Sequence, residues 1–224
     1  MLLLARSSVM SSEPSEPTYG VVVPVKPPAI AKSRLSGLGD AIRRELVVAF
    51  AADTITAAMQ SARVSVVLAV TDDHLLARGL ADLGAQVMPD GIANNLNGSL
   101  AMAAAEVGRR WPQLRVAALC ADLPALRSVE LSRALAAAEN DRQSFVSDEQ
   151  RLGTTLLIAP SPDMFEARFG NGSREAHLEI GAAELDVADV PTLRRDVDTT
   201  EDLAEAIDLG VGSCTALVTT GLRL

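Results

Sequence analysis

Aromatic side chains are nearly missing from this chain: one Trp, one Tyr and four Phe make up 3% of 224 residues. Its core must therefore be aliphatic, and the 48% of apolar residues, rich in Ala, Val and Leu, is ample for one. Cysteine is as scarce. Cys120 and Cys214 lie far apart with no C-x-x-C spacing, which argues for buried free thiols in a reducing, cytoplasmic setting rather than a disulfide framework. The two histidines, His74 and His177, do not make a zinc-ligand set. No apolar run approaches the roughly 20 residues of a membrane span. The opening M-L-L-L-A-R is too short for a secretory leader and lacks its charged n-region. Positive charge is short as well. With a net charge of −9 and a pI near 4.7, the surface repels DNA and RNA phosphates, which excludes general nucleic-acid binding.

Two well-known nucleotide loops are also missing. No G-x-x-x-x-G-K-[ST] occurs, which disfavours a P-loop kinase or GTPase. No G-x-G-x-x-G follows a strand; G-L-G-D-A-I at 37–42 lies too far from the first strand end to serve a dehydrogenase.

What is present is an alternation. Residues 1–18, rich in Ser, Glu and Pro, read as a disordered tail, with Met10 a plausible alternative start. Apolar, β-branched runs predict strands at 19–25, 64–70, 85–89 and 114–120. Helical spacing predicts helices at 40–60, from Thr71 or Asp72 (as N-cap) to about 83, and at 97–110, 128–139, 173–182 and 200–209. S-F-V-S and T-T-L-L-I-A follow each other with no helix between, which predicts a hairpin across 147–153 and an antiparallel insertion. The pattern is that of a three-layer α/β/α sandwich on a mixed, mainly parallel sheet. One domain spans 19–212, and 213–224 reads as a C-terminal tail.

Five segments carry chemistry-bearing residues. Lys26, Lys32 and Arg34 form a basic loop after the first strand, where α/β sheets bind ligands, in a chain that is otherwise acidic. Prolines beside Lys26 would present it rather than leave it mobile. Asp122 ends the apolar run V-A-A-L-C-A-D-L-P. A carboxylate there needs a cation or hydrogen bonds, so it reads as a metal ligand or as a cap for the next helix. Asp196 and Asp198, in R-R-D-V-D-T-T-E-D-L, face one side if the segment is extended. Asp198 is as readily a helix cap as a ligand, while Asp196 is less easily explained as a cap. In N-N-L-N-G-S-L (94–100), Leu96, Asn97 and Ser99 offer contacts to a base edge or ribose, or else a plain turn capped by Asn97 or Ser99. Finally, Thr155 in G-T-T-L-L, with Gly170 and Ser173 in R-F-G-N-G-S-R, suggests a nest for a second anion, or an ordinary hairpin and helix cap.

The ordered set P-V-K, A-K-S-R-L, L-N-G-S-L, C-A-D-L-P-A-L, S-F-V-S-D, G-T-T-L-L, R-F-G-x-x-S and R-D-V-D-T-x-x-D-L resembles the guanylyltransferases of F-420 (deazaflavin) coenzyme biosynthesis, over about residues 19–212. The resemblance implies a nucleotide-diphospho-sugar transferase-like fold, GTP and Mg²⁺. It also implies transfer of GMP to phosphoenolpyruvate or 2-phospho-L-lactate with release of pyrophosphate; phosphoenolpyruvate ranks first because the alanine-rich composition suits a high-GC actinobacterial source. Carried over by motif, Asp122 and Asp196 match metal-binding aspartates, with Asp198 as a helper. Lys26, Lys32 and Arg34 match the triphosphate loop, and Thr155, Gly170 and Ser173 match positions that hold the phospho-acid. The chain departs from the family in having L-G-T-T where G-T-G-T or G-G-T is common, which leaves Thr154 and Thr155 both open as the contact. Other nucleotidyltransferases, of molybdenum-cofactor or sugar-phosphate type, usually carry a Gly-rich first loop that V-P-V-K-P replaces here. A non-catalytic nucleotide-binding domain is the remaining alternative. A homodimer stays open.

Overall fold

A computed structural model describes residues 18–26, 35, 38–92 and 95–222. Lys32 and Arg34 lie outside the described residues, as does most of the predicted N-terminal tail.

Seven strands form one sheet: β1 (Tyr19–Pro24), β2 (Val64–Val70), β3 (Gln86–Met88), β4 (Arg115–Leu119), β5 (Ser144–Ser147), β6 (Thr154–Ala159) and β7 (Ala183–Glu184). Their order is β3-β2-β1-β4-β6-β5-β7. All pairings are parallel except those of β6, which runs antiparallel to both β4 and β5. The predicted hairpin of β5 and β6 is present, and β6 is the strand inserted against β4. The described helices are α1 (Asp40–Met59), α2 (His74–Asp82), α3 (Leu96–Arg110), α4 (Ser128–Ala137), α5 (Ser173–Glu179), α6 (Pro191–Arg194), α7 (Thr200–Leu209) and α8 (Ser213–Thr219).

Strand alternation sorts the core into two layers. Val21 and Val23 face Ala51, Ile55 and Ala58 of α1 and Leu131 and Leu135 of α4. Val22, from the same strand, faces Leu100, Ala103, Ala104 and Val107 of α3. Helix α3 comes so close to β1 that a Cβ on Gly20 would lie 2.6 Å from Val107 Cγ1, so only glycine fits there. A third cluster joins Leu46 and Phe50 of α1, Ala125, Val197, and Leu203 and Ala206 of α7. This small core positions the acidic segments described below.

Three local expectations differ from what the structure holds. Helix α2 is capped by Asp73, whose carboxylate accepts from Leu75 and Leu76 N–H, both at 3.0 Å, and not by Thr71 or Asp72. Helix α3 is capped by Asn95, which accepts from Gly98 N–H at 3.0 Å, and not by Asn97 or Ser99. The segment expected as a C-terminal tail contains α8. Its start is held from across the chain by the buried Asp53 of α1, whose carboxylate accepts from Cys214 N–H at 3.0 Å and Thr215 N–H at 2.8 Å.

Candidate active site at the carboxyl edge of the sheet

The order places β4 beside β1, while β2 and β3 lie on β1's other side. Chain connections leave β1 and β4 in opposite directions across the sheet, and ligands sit at such a switch point, beyond the carboxyl ends of the strands. Asp122 lies three residues past the end of β4. Its loop is fixed from several sides. The fully buried Thr54 of α1 donates to Ala121 carbonyl at 3.3 Å and accepts from Leu123 N–H at 3.1 Å. Gly212 N–H donates to Pro124 carbonyl at 2.8 Å. Asp122 itself is half-buried, with Oδ1 shielded from solvent.

The second acidic segment docks onto the first. Val197 N–H donates to Asp122 carbonyl at 3.0 Å, and the Val197 side chain is fully buried in the third core cluster. With Val197 turned inward, the flanking Asp196 and Asp198 are left half-exposed toward the outside of the same segment. The approach is set by α6, whose first N–H groups, those of Thr192 and Leu193, donate to the buried Glu130 Oε2 at 2.8 and 3.3 Å. Arg194 then reaches across to Ser147, donating to its carbonyl and hydroxyl, both at 2.9 Å.

The helix-cap reading of Asp198 is not what the structure shows. Thr199 is the N-cap of α7, in a capping box with Asp202. Asp202 Oδ2 accepts from Asp198 N–H at 3.1 Å, Thr199 N–H at 2.8 Å and Thr199 Oγ1 at 2.9 Å. Arg195 lies 3.7 Å from Asp202 Oδ1 and 2.8 Å from Glu205 Oε2. The D-V-D segment is thus gripped from both ends, by Val197 on Asp122 and by Asp202 on Asp198. The T-x-x-D spacing of Thr199 and Asp202 is the sequence signature of that box.

Lys26 is exposed just past β1, whose trailing residue Val25 donates to Val70 carbonyl at 2.9 Å. On the other side of β4, Cys120 N–H donates to Thr155 carbonyl at 2.9 Å, so the start of β6 lies beside the Asp122 loop. Thr155 is buried, and its hydroxyl lies 3.4 Å from Val146 carbonyl. The Thr154 hydroxyl lies 2.9 Å from His177 Nδ1. His177 Nε2 accepts from Arg168 N–H at 3.1 Å, so the proton of the neutral ring belongs on Nδ1. Burial pushes His177 down to about 4, which keeps it neutral.

Ser173 joins this group. A Cβ on Gly153 would lie 3.8 Å from Ser173 Oγ but only 2.6 Å from Asp148 Oδ2, which holds the turn by accepting from Gly153 N–H at 2.7 Å. Ser173 is buried, and Gly170 is exposed with φ +139. The proposed anion nest is narrower than expected. Ser173 N–H is engaged by Gly170 carbonyl at 3.1 Å and Arg174 N–H by Leu152 carbonyl at 3.2 Å.

The L-N-G-S segment differs more. Both ends of the Asn97 amide are taken by the Phe169 backbone, with Nδ2 donating to its carbonyl at 3.0 Å and Oδ1 accepting from its N–H at 2.8 Å. Ser99 is buried and donates to Asn95 carbonyl at 3.0 Å. Leu96 is the first residue of α3. The Asn97 and Ser99 side chains therefore tie α3 to the 165–170 loop and to its own cap.

Among the described residues, no group of three or more His, Cys, Asp or Glu side chains is placed to hold a metal by itself. No helix among them is long and apolar enough to cross a membrane.

The family described as "Guanylyl transferase CofC like" matches residues 19–218. The chain belongs to this family. Two relatives of this guanylyl transferase, both named phosphoenolpyruvate guanylyltransferase, match nearly end to end. The protein from Thermomonospora curvata is 46% identical over 209 residues, 93% of this chain and 92% of its own. That from Streptomyces scabiei is 48% identical over 211 residues, 92% of this chain and 98% of its own. Among solved structures, a putative nucleotide-diphospho-sugar transferase from Desulfovibrio desulfuricans superposes with TM-score 0.66 at 17% identity, covering 90% of this chain and 94% of its own. A nucleotidyl transferase from Methanothermobacter gives TM-score 0.59 at 17% identity, over 85% and 96%. At that identity the likeness is one of fold, and it agrees with the expected nucleotide-diphospho-sugar transferase-like sheet.

Proposed function

We propose that this guanylyl transferase moves GMP from GTP onto phosphoenolpyruvate, releasing pyrophosphate, as a step of F-420 coenzyme biosynthesis. The observation that carries the reading is the near full-length likeness, at 46% and 48% identity, to two relatives of that name. The site supports it by placing carboxylates at the switch point with a lysine on one side and hydroxyls on the other.

In the reaction, a phosphate oxygen of phosphoenolpyruvate attacks the α-phosphorus of GTP as the bond to the β-phosphate's bridging oxygen breaks, and pyrophosphate leaves. The attacking oxygen is already anionic, so no strong general base is needed. Positioning and charge neutralisation carry the rate. The chain has only two lysines, Lys26 and Lys32, and both fall in the sequence between β1 and α1. With Arg34 they would neutralise the triphosphate. Ser173, Gly170 and Thr155 would receive the phospho-acid. Both neighbouring hydroxyls have partners, Thr154 accepting from His177 and Thr155 donating to Val146 carbonyl, so the contact stays open between the two.

The donor set suits Mg²⁺. This cation takes one or two carboxylates and completes its shell with substrate phosphates and water, so a full protein cage is not required. Asp122 and Asp196 would hold it, with Asp198 assisting. When bound it would supply charge stabilisation at the phosphoryl oxygens. The test is pyrophosphate release from GTP and Mg²⁺ with phosphoenolpyruvate, 2-phospho-L-lactate and 3-phosphoglycerate in parallel. Release with phosphoenolpyruvate above the others is expected; no release with any acid overturns the reading.

A further inference from the structure

With Asn97 and Ser99 committed inside the chain, the base of GTP needs another reader. We propose that Asp90 is that reader, a carboxylate that selects guanine by accepting from its N1–H and its 2-amino group. The proposal rests on the guanylyl-transfer reading above.

Position comes first. The acceptor side of the site lies over β4, β6 and β5, where Thr155 and Ser173 sit, and Asp122 marks the switch point. A nucleotide whose phosphates lie at Lys26 and Asp122 must extend its nucleoside over the other half of the sheet, beyond β2 and β3. Strand spacing puts β3 about 10 Å from β1, a distance a nucleoside spans. Asp90 leaves the carboxyl end of β3, after Met88 and Pro89, and precedes the N-cap of α3 by five residues. It therefore stands on the ligand edge, at the nucleoside end.

Its chemistry is also distinctive. Asp90 Oδ1 is shielded from solvent and has no hydrogen-bond partner among the described residues. An unsatisfied buried carboxylate oxygen is unfavourable and calls for a donor from a ligand, an ion or a water. The residue itself is held in place. Its N–H donates to Asp72 Oδ1 at 2.9 Å, and Thr71 N–H donates to Met88 carbonyl at 3.1 Å, tying the ends of β2 and β3 together. Gly91, with φ +70, turns the chain immediately afterwards, and a Cβ there would lie 3.2 Å from Met102 Cε. The carboxylate is thus supported by a fixed backbone on both sides.

A carboxylate matches one purine edge. Guanine offers two adjacent donors, N1–H and the 2-amino group. Hypoxanthine keeps N1–H alone. Adenine places the N1 lone pair against the carboxylate, which repels. A site built to receive donors rejects analogues that lack them far more strongly than an apolar pocket does.

The experiment measures binding of GTP, ITP and ATP, each with Mg²⁺, by calorimetry on the full chain and on Asp90→Asn, with melting curves for both. The wild type is expected to bind GTP at least tenfold tighter than ITP and ATP, and Asp90→Asn to lose most of that ratio while ATP binding holds or improves. A wild type that does not distinguish GTP from ITP overturns the proposal even should the variant fail to fold. So does a variant that weakens all three nucleotides equally. Pyrophosphate release by the wild type is read separately: its absence alongside intact GTP preference removes the transferase reading and leaves base selection by Asp90 standing.

Discussion

The N–H of Val197 donates to the carbonyl of Asp122 at 3.0 Å, across 75 residues of sequence. This bond brings two acidic motifs from different parts of the chain to one edge of the sheet. Because the Val197 side chain is buried beneath it, Asp196 and Asp198 cannot turn inward without emptying part of the third core cluster.

Replacing Asp122 with Asn keeps the volume and the backbone carbonyl that Val197 uses, while removing the charge. Pyrophosphate release is expected to fall at least about 100-fold, the scale on which loss of one electrostatic contact to the reacting phosphate is felt. The melting temperature and circular dichroism should stay near wild type. Activity within a few-fold of wild type would remove Asp122 from the metal site.

Asp202→Ala separates positioning from chemistry. It takes the partner of Asp198 and Thr199 N–H and breaks the capping box, which should lower stability by about 1–2 kcal/mol. A chain of this size then melts roughly 2–4 °C lower per kcal/mol. The Mg²⁺ concentration for half-maximal rate should rise as well, because the D-V-D segment loses its second anchor. A lower melting temperature with an unchanged Mg²⁺ titration would mean that Asp202 serves only the helix.

Gly212 lies against Asp53. A Cβ on it would lie 2.3 Å from the Asp53 carboxyl carbon, so Gly212→Ala must displace the carboxylate that caps α8. A loss of about 1–3 kcal/mol is expected from urea unfolding, and Asp53→Ala should fall in the same range. The double variant should cost less than the sum of the two, since both remove one arrangement. Simple additivity would show that the two sites act independently.

His177 gives stability a defined pH dependence. Burial lowers it from the ordinary 6.5 to about 4, so the unfolded chain takes up a proton before the folded one. The contribution is fully present above about pH 6.5 and is lost as pH falls toward 4; on this basis unfolding should become easier by about 2 kcal/mol between pH 7 and pH 5. Denaturant unfolding at pH 7, 6 and 5 would show that slope, and His177→Gln should flatten it while lowering stability at pH 7 through the lost Thr154 contact. An equal slope in the variant would assign the effect to other groups.

Much of the framework was legible in the sequence because its causes are local. V-S-V-V-L-A-V is a strand in any buried setting, and it forms β2 at 64–70. The last predicted helix, 200–209, is α7 residue for residue, because its capping box and its closing glycine all lie within or next to the segment itself. Helix starts where several polar residues compete were harder. Asp73 won over Thr71 and Asp72, and Asn95 over Asn97, because the cap is settled by which side chain the backbone turns toward its own N–H groups.

The sequence by itself determined the alternating elements, the aliphatic core and the acidic residues at a strand end and ahead of a helix, for these follow from periodicity and propensity within a few residues. Only the tertiary structure decided which of those residues meet. Insertion of β6 between β4 and β5, the hold of Asn97 on Phe169, the reach of Asp53 to α8 and the docking of Val197 on Asp122 all join residues 70 or more positions apart, or reorder strands in space. Nothing local encodes such bonds. They form because packing the two faces of one sheet leaves buried N–H and carbonyl groups that must find partners wherever the fold has brought them.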